Sequence, residues 1–438
     1  MLLEFSITNF KSLKEKQILS LLPSNRIKER INLPFQNLIN YAQIEVLKTV
    51  CLYGKNNSGK TNTLKSLFAL KWLVVNSNKF NAGDEIKANE FFLFDTQMQK
   101  QATTFEIDLI AANQIRYQYK VKFTKFEILE EKLAFLPPQK RRFVNLFQRE
   151  INKPINYSEE FAGKKKHIEN DLNKNQLFLS KVANNNPNEH LENVYAFFSK
   201  KIKDVNFGSN YEEKLFTQNT TRVMAENSYV SKNIENLLIA ADTGIIGLEI
   251  AENNPDNFHF PDGISEEVKN KIITDLKHSI KIRHRMFDGE NEIGAKNVPI
   301  EIESTGTQKI FTLGAILHEA FANGEIVLID ELDKSLHPYL SQMLIKLFYD
   351  ETLNKNNAQL IFTTHDATLI DESAFAKDQI YIVDKDYYGK TELSAFSDFT
   401  GLRKDIPLQK WYLSGRLGGV PIVNQNVHFQ FEEANGEE

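Results

Sequence analysis

One cysteine stands in the 438-residue chain, Cys51. That scarcity excludes an internal disulfide framework and a cysteine-built zinc site, and the apolar neighbours in "TVCLY" make Cys51 a core thiol. Long hydrophobic runs are missing too. The most apolar stretch near a helix, "LKSLFALKWLVV", is interrupted by Lys65 and Lys71 and is too short to cross a bilayer. Positive charge is not in excess either. A net charge of -5 gives no global pull toward nucleic acid or anionic membrane, so any basic surface must be local. The opening "MLLEFSITNFKSL" carries Glu4 where a leader peptide would carry positive charge, and its alternation reads as a strand. A cytoplasmic protein that makes no membrane contact is expected.

What is present is ordinary in amount and informative in order. Hydrophobic residues make up 41% and charged residues 25%, and the length exceeds what one compact core usually holds. "IEVLKTVCLY" reads as a strand, a glycine-bearing loop follows, and "KTNTLKSLFALKWLVV" has helical spacing at Leu64, Leu67, Phe68 and Trp72. "TTFEIDLIA", "QIRYQYKVKF" and "FEILEEKLAFL" are three strands of an antiparallel meander that "PPQ" is expected to close. From Lys140 to Pro299 the composition shifts toward Asn, Lys and Glu, with amphipathic patches such as "HLENVYAFFSKKI", and a mainly helical insertion is expected. The last third alternates again. "TQKIFTLGAILHEAFA" and "HPYLSQMLIKLFYD" are helices and "EIVLID" and "AQLIFTT" are buried strands, which implies a largely parallel sheet. The expected organisation is an N-terminal lobe over 1–139, the insertion over 140–299 and a C-terminal lobe over 300–438.

Gly54 to Thr61 spell G-x-x-x-x-G-K-T between a strand and a helix. Glycines let backbone N–H groups approach phosphates, and the helix N-terminus adds positive potential. Gly54, Asn56, Asn57, Ser58 and Gly59 would line that cradle, Lys60 would reach the β- and γ-phosphates, and Thr61 would hold Mg²⁺. "IVLIDEL" places Asp330 and Glu331 at the carboxyl end of a buried strand, where open α/β sheets bind ligands. Asp330 suits the metal and Glu331 suits activation of a water. "LIFTTHD" repeats the pattern with Thr363, Thr364, His365 and Asp366, and His365 can sense the γ-phosphate. "ESTGTQK" opens a helix with small polar residues, a second anion-binding edge. Two such edges suggest two halves of a split site.

These motifs in this order resemble the RecF/SMC/OLD-type ABC ATPases: the first strand with "NFKS", the P-loop, "STGTQ" as the signature, "LIDELDKSLHP" as Walker B plus D-loop, and "TTHD" as the switch histidine. "ADTGI", "ESTGTQ", "DELDKSLHP" and "LRKDIPLQKWYLSGRLGGVPIV" are similar to the bacterial RloA-like AAA-family ATP-binding proteins. The resemblance implies an ABC-type P-loop NTPase with a mixed central sheet, an antiparallel β subdomain and the helical insertion. It also implies that ATP and Mg²⁺ bind to one subunit and are closed by Ser304, Thr305, Gly306, Thr307 and Gln308 of another, giving a homodimer or higher oligomer. Asp333 would be the D-loop residue coupling the two sites. Gln97, Gln99 and Gln101 are equal candidates for the Q-loop glutamine, and Asn57 stands where many relatives have glycine. Such relatives are commonly encoded beside a nuclease-like partner in anti-phage or abortive-infection systems, so the resemblance implies an effector partner, RloB-like or Toprim-type, in defence; a RecF-like DNA-binding role in repair is the alternative. Asp384 and Asp386 have metal-like spacing, yet "QIYIVDKDYYGKTELSAF" reads as a hairpin turning at "KDYYGK", so a nuclease would be another chain. Basic clusters at Lys140 to Arg142, Lys164 to Lys166 and ending at Arg285 are local candidates for nucleic acid.

Overall fold

The computed structural model describes residues 1–27, 34–39, 42–138, 140–161, 166–185, 188–206, 210–241, 243–261, 263–370, 375–401 and 407–421. Strands β1 (Leu2–Thr8), β2 (Gln17–Ser20), β3 (Phe35–Ile39), β4 (Ala42–Val46) and β5 (Thr49–Tyr53) lead into helix α1 (Lys60–Asn76). "IEVLKTVCLY" is therefore two strands and not one. Leu47 donates its N–H to Leu21 at 2.7 Å, which draws the chain off one ladder before β5 starts another. The buried stripe of α1 runs through Leu64, Leu67, Leu70, Leu73 and Val74. Phe68 and Trp72, which the spacing placed on that face, lie at its half-exposed edge.

The meander forms as expected from β6 (Thr103–Ile110), β7 (Arg116–Phe123) and β8 (Ile128–Phe135), but Pro137 and Pro138 do not close it. β9 (Val144–Glu150) pairs antiparallel with β8, and β10 (Asn156–Tyr157) with β9. With β1 and β2 on the other side, the sheet has seven strands in the order β10-β9-β8-β7-β6-β1-β2. Prolines in a link between antiparallel strands cost no ladder hydrogen bond, so they do not stop the sheet.

The segment 140–299 contains more helix than strand, with helices α2 (Lys166–Asn170), α3 (Phe178–Asn185) and α4 (Glu189–Ala196), strand β11 (Ile202–Val205), and helices α5 (Asn210–Glu226) and α6 (Ser228–Ala240). Beyond them come β12 (Ile245–Glu252), α7 (Glu266–Asp275), β13 (His278–Asp288) and β14 (Asn291–Pro299). Its limits are not breaks in the fold, however. β9 and β10 complete the N-terminal sheet, β11 joins the central sheet, and β12, β13 and β14 make a sheet of their own.

Then follow α8 (Thr305–Asn323), β15 (Ile326–Ile329), α9 (Pro338–Leu347), β16 (Gln359–Thr364), the hairpin β17 (Ile380–Lys385) and β18 (Thr391–Ala395), and α10 (Leu408–Leu413). The central sheet runs β11-β15-β16-β5-β17-β18, parallel except for β18. Its inner strands read as unbroken apolar runs because both faces are covered. Val50 and Leu52 of β5 point into the core shared with the N-terminal sheet, whereas Cys51 and Tyr53 point into the core under α8 and α9. The Gln359 side chain joins the two sheets, accepting from the Leu2 N–H at 2.8 Å and donating to the Leu2 carbonyl at 3.0 Å. Among the described residues, no helix is long and apolar enough to cross a membrane.

Candidate functional site

Because β15, β16 and β5 are adjacent and parallel, their carboxyl ends deliver three loops to one edge. After β5, the loop reaches α1 through Asn57 at φ 63° and Gly59 at φ 115°. Asn57 thus takes the left-handed shape that favours glycine, and asparagine is among the residues that tolerate it. Gly54 is required by packing: a Cβ there would lie 2.2 Å from the Val383 carbonyl oxygen of β17. The first turn of α1 has neither a side-chain cap nor an acidic residue, leaving its N–H groups and positive potential to an anion. Ser58 Oγ, buried in the same loop, has no hydrogen-bond partner among the described residues.

The Lys60 ammonium folds back on the loop, donating to the carbonyls of Gly54 at 2.7 Å and Lys55 at 3.1 Å. Burial pushes it down to about 8, against the pull of Asp330, Glu331 and Asp333. Thr61 Oγ1 donates to Asp330 Oδ2 at 2.8 Å, and Thr363 Oγ1 donates to Asp330 Oδ1 at 2.6 Å. Thr363 also accepts the Glu331 N–H at 2.8 Å and, through its carbonyl, the Leu332 N–H at 3.0 Å. Glu331 is held at φ 53°, a left-handed conformation uncommon for a non-glycine residue and typical of sites where strain serves function. Its carboxylate lies 3.9 Å from His365 Nε2. Burial, and then the nearby Lys60 charge, lower the His365 pKa, which leaves the imidazole neutral at pH 7. Residues 56–62, Asp330, Glu331 and His365 line one cavity of about 300 Å³.

The Ser304–Gln308 turn lies elsewhere. Ser304 caps α8, its Oγ accepting from the Thr307 N–H at 3.1 Å and sharing a 2.9 Å hydrogen bond with Thr307 Oγ1. Gln308 turns back to donate to the Glu303 carbonyl at 2.8 Å. Thr305 and Gln308 line a second cavity of about 220 Å³ with Lys334 and Ser335. Among the described residues, none from this turn lines the P-loop cavity. Asp333 Oδ2 accepts from the His365 N–H at 3.3 Å, and its buried Oδ1 has no hydrogen bond among the described residues.

Several contributors carry no motif. Thr391 of β18 donates its hydroxyl proton to the Ser58 carbonyl at 2.7 Å and shares a 2.8 Å hydrogen bond with the Ser12 hydroxyl, and Asn62 donates to Ser12 at 2.7 Å. The "NFKS" turn, the P-loop and the hairpin are tied together there. At the hairpin's near end Asp384 pairs with Lys55 at 2.9 Å and Lys385 donates to Asn57 Oδ1 at 2.9 Å. Asp384 therefore braces the loop, and no three-residue metal cluster exists among the described residues. The hairpin itself forms as expected. Of the C-terminal motif, residues 402–406 and those after 421 lie outside the described residues, as do Asp242 of "ADTGI" and Lys164 and Lys165 of the second basic cluster.

The double role of the Thr363 hydroxyl has a measurable cost. Thr363→Val keeps the shape but leaves the Glu331 N–H without its acceptor and Asp330 without one donor, and should lower stability by about 1–3 kcal/mol. Urea unfolding of the two proteins checks this, and equal midpoints would contradict it.

A family model for an AAA domain, described as putative AbiEii toxin, type IV TA system, matches residues 50–371. No curated protein matches. Among solved structures, the SMC head domain from Thermotoga maritima is 12% identical with a TM-score of 0.40, covering 90% of this chain and 98% of that one. An SMC head bound to the C-terminal winged-helix domain of ScpA is 11% identical with a TM-score of 0.42, covering 94% and 99%. The recombination mediator RecF, solved with ATP, is 13% identical with a TM-score of 0.35, covering 90% and 97%. With the family match spanning most of its length and the P-loop, acidic strand end and histidine at one sheet edge, the chain belongs to this AAA-domain family.

Proposed function

We propose that the chain is an ATP-hydrolysing switch that closes as a dimer around nucleotide and thereby holds or releases a partner effector in bacterial defence. The observation that carries the hydrolytic part is the unbroken hydrogen-bond path from Thr61 through Asp330 and Thr363 to the Glu331 backbone. Thr61 and Asp330 would hold Mg²⁺, which when bound neutralises charge on the β- and γ-phosphate oxygens. The fit is supported by the N-terminus of α1, which no side chain caps, by the Ser58 hydroxyl, which has no partner among the described residues, and by the left-handed Asn57 and Gly59.

Lys60 binds the phosphates by giving up its two loop carbonyls. Glu331 orients a water and takes its proton, a role its carboxylate can fill because only its backbone is committed to Thr363. The neutral His365 faces the same cavity and holds a hydrogen bond to the outermost phosphate. The Ser304–Gln308 turn adds no residue to the lining of the P-loop cavity among the described residues, which supports its serving the nucleotide of a second copy. A ligand that contacts both copies favours the closed assembly only while its outer phosphate is present.

The defence role is supported by the family description, which names a toxin of a type IV TA system, and by the likeness of the C-terminal motifs to RloA-like proteins. A nuclease-type protein is the effector of choice for such a switch. In the basic clusters on which the repair reading would draw, Lys140 faces Glu160 at 3.7 Å and Arg285 faces Glu292 at 3.8 Å, so part of their charge is paired.

Two outcomes are expected. Glu331→Gln retains ATP binding, stops hydrolysis and strengthens ATP-dependent self-association in sedimentation; a variant that neither traps ATP nor associates sinks this mechanism. The Lys60 ammonium supplies the second. Below about pH 8 it is already charged in the free protein, so affinity is flat; above it, binding must take up a proton, because phosphates raise its pKa. ATP affinity therefore falls by up to about tenfold per pH unit above that point. Calorimetric titrations from pH 7 to 9 that show constant affinity would overturn the assignment.

A further inference from the structure

Lys309 is the fifth residue of α8, one turn behind the Ser304 cap, and it is buried. Its ammonium donates to the carbonyls of Glu331 at 3.0 Å, Leu332 at 3.0 Å and Lys334 at 2.9 Å. Three bonds use the three protons an ammonium carries, and each is strengthened by the charge. The turn needs such a partner. Glu331 and Ser335 are both in the left-handed region, at φ 53° and 63°, and three carbonyl oxygens of this stretch converge on one point. Burial pushes the ammonium down to about 8, so it stays charged at pH 7.

A second contact joins the same two elements. A Cβ on Gly306 would lie 2.6 Å from the Ser335 carbonyl oxygen, so the first turn of α8 rests directly on the far end of the Glu331 turn. The turn is therefore held from two sides, by Thr363 of β16 and by α8. Thr363 belongs to the sheet that builds this chain's own P-loop site. The first turn of α8 has Thr305 exposed and, among the described residues, contributes none to the lining of that site.

We propose that Lys309 is a positioning residue for hydrolysis, tying the turn that carries Glu331 to the helix whose first turn meets a second copy's nucleotide. Seating of that nucleotide then sets the Glu331 carboxylate of this chain. The inference rests on the reading of Glu331 as the residue that activates water.

The test is steady-state ATP hydrolysis and binding of a fluorescent ATP analogue, measured on wild type, Glu331→Gln and Lys309→Met. The methionine side chain fills similar space and donates nothing. Lys309→Met should bind the analogue as wild type does, while its kcat falls about 10- to 100-fold, the scale expected from an ångström's misplacement of a catalytic group. Should the methionine variant melt before assay, Lys309→Gln, with two N–H donors on a shorter arm, carries the same test and should show the same split with a smaller fall. A folded Lys309 variant that hydrolyses at the wild-type rate, or that loses binding in step with kcat, overturns the inference while leaving the ATPase reading intact. Wild type that hydrolyses no ATP overturns both.

Discussion

The Asp330 carboxylate receives a hydroxyl proton on each oxygen, from Thr61 on one side and Thr363 on the other, and the geometry of the site depends on that bridge. Thr61 belongs to the helix behind the P-loop and Thr363 to the neighbouring strand. One half-buried acid thus fixes the separation of the phosphate cradle from the strand ends that present Glu331 and His365. The bridge forms because β15, β16 and β5 are parallel and adjacent, which puts three sequence-distant loops at one edge. Charge also converges there. Lys60 is held by carbonyls and its pKa is lowered to about 8 by burial, a shift that an arriving phosphate would oppose.

Around this centre the chain has built braces. The C-terminal hairpin presses on the P-loop from β17, and glycine at 54 is the consequence of that approach. Thr391 and Ser12 close the other flank. A loop so restrained enters binding with little conformational entropy left to lose, which favours affinity without a new contact.

Local chemistry made much of this legible in the sequence. The P-loop, Asp330, Glu331 and His365 each end an apolar strand, and strand ends in a parallel sheet are where ligands bind, so their convergence followed from periodicity and order. The buried face of α1 was partly misread because 3.6-residue spacing identifies a stripe but not which residues sit at its edge: Phe68 and Trp72 are large and apolar yet lie at the margin. The meander was read as three strands because prolines look like terminators, whereas β9 pairs on beyond them. β11 escaped notice because four residues carry almost no periodic signal, and its place is set by pairing with β15, far along the chain. Lys309 and Gln359 escaped for the same kind of reason. Each is a polar side chain whose role is to satisfy backbone groups of a remote segment, and no local pattern announces such a partner.

The central claim is that each nucleotide site is completed by a second chain, and mixing two defective chains tests it most directly. Lys60→Ala removes the phosphate ammonium, and Thr305→Glu places a carboxylate at an exposed first-turn position, which a helix N-terminus accepts but a phosphate does not. Each variant alone should hydrolyse no ATP. Mixed, they should recover hydrolysis, because a mixed pair joins the intact P-loop of one chain to the intact Ser304–Gln308 turn of the other. A mixture as inactive as its parts, or full activity of Thr305→Glu alone, would contradict the shared site.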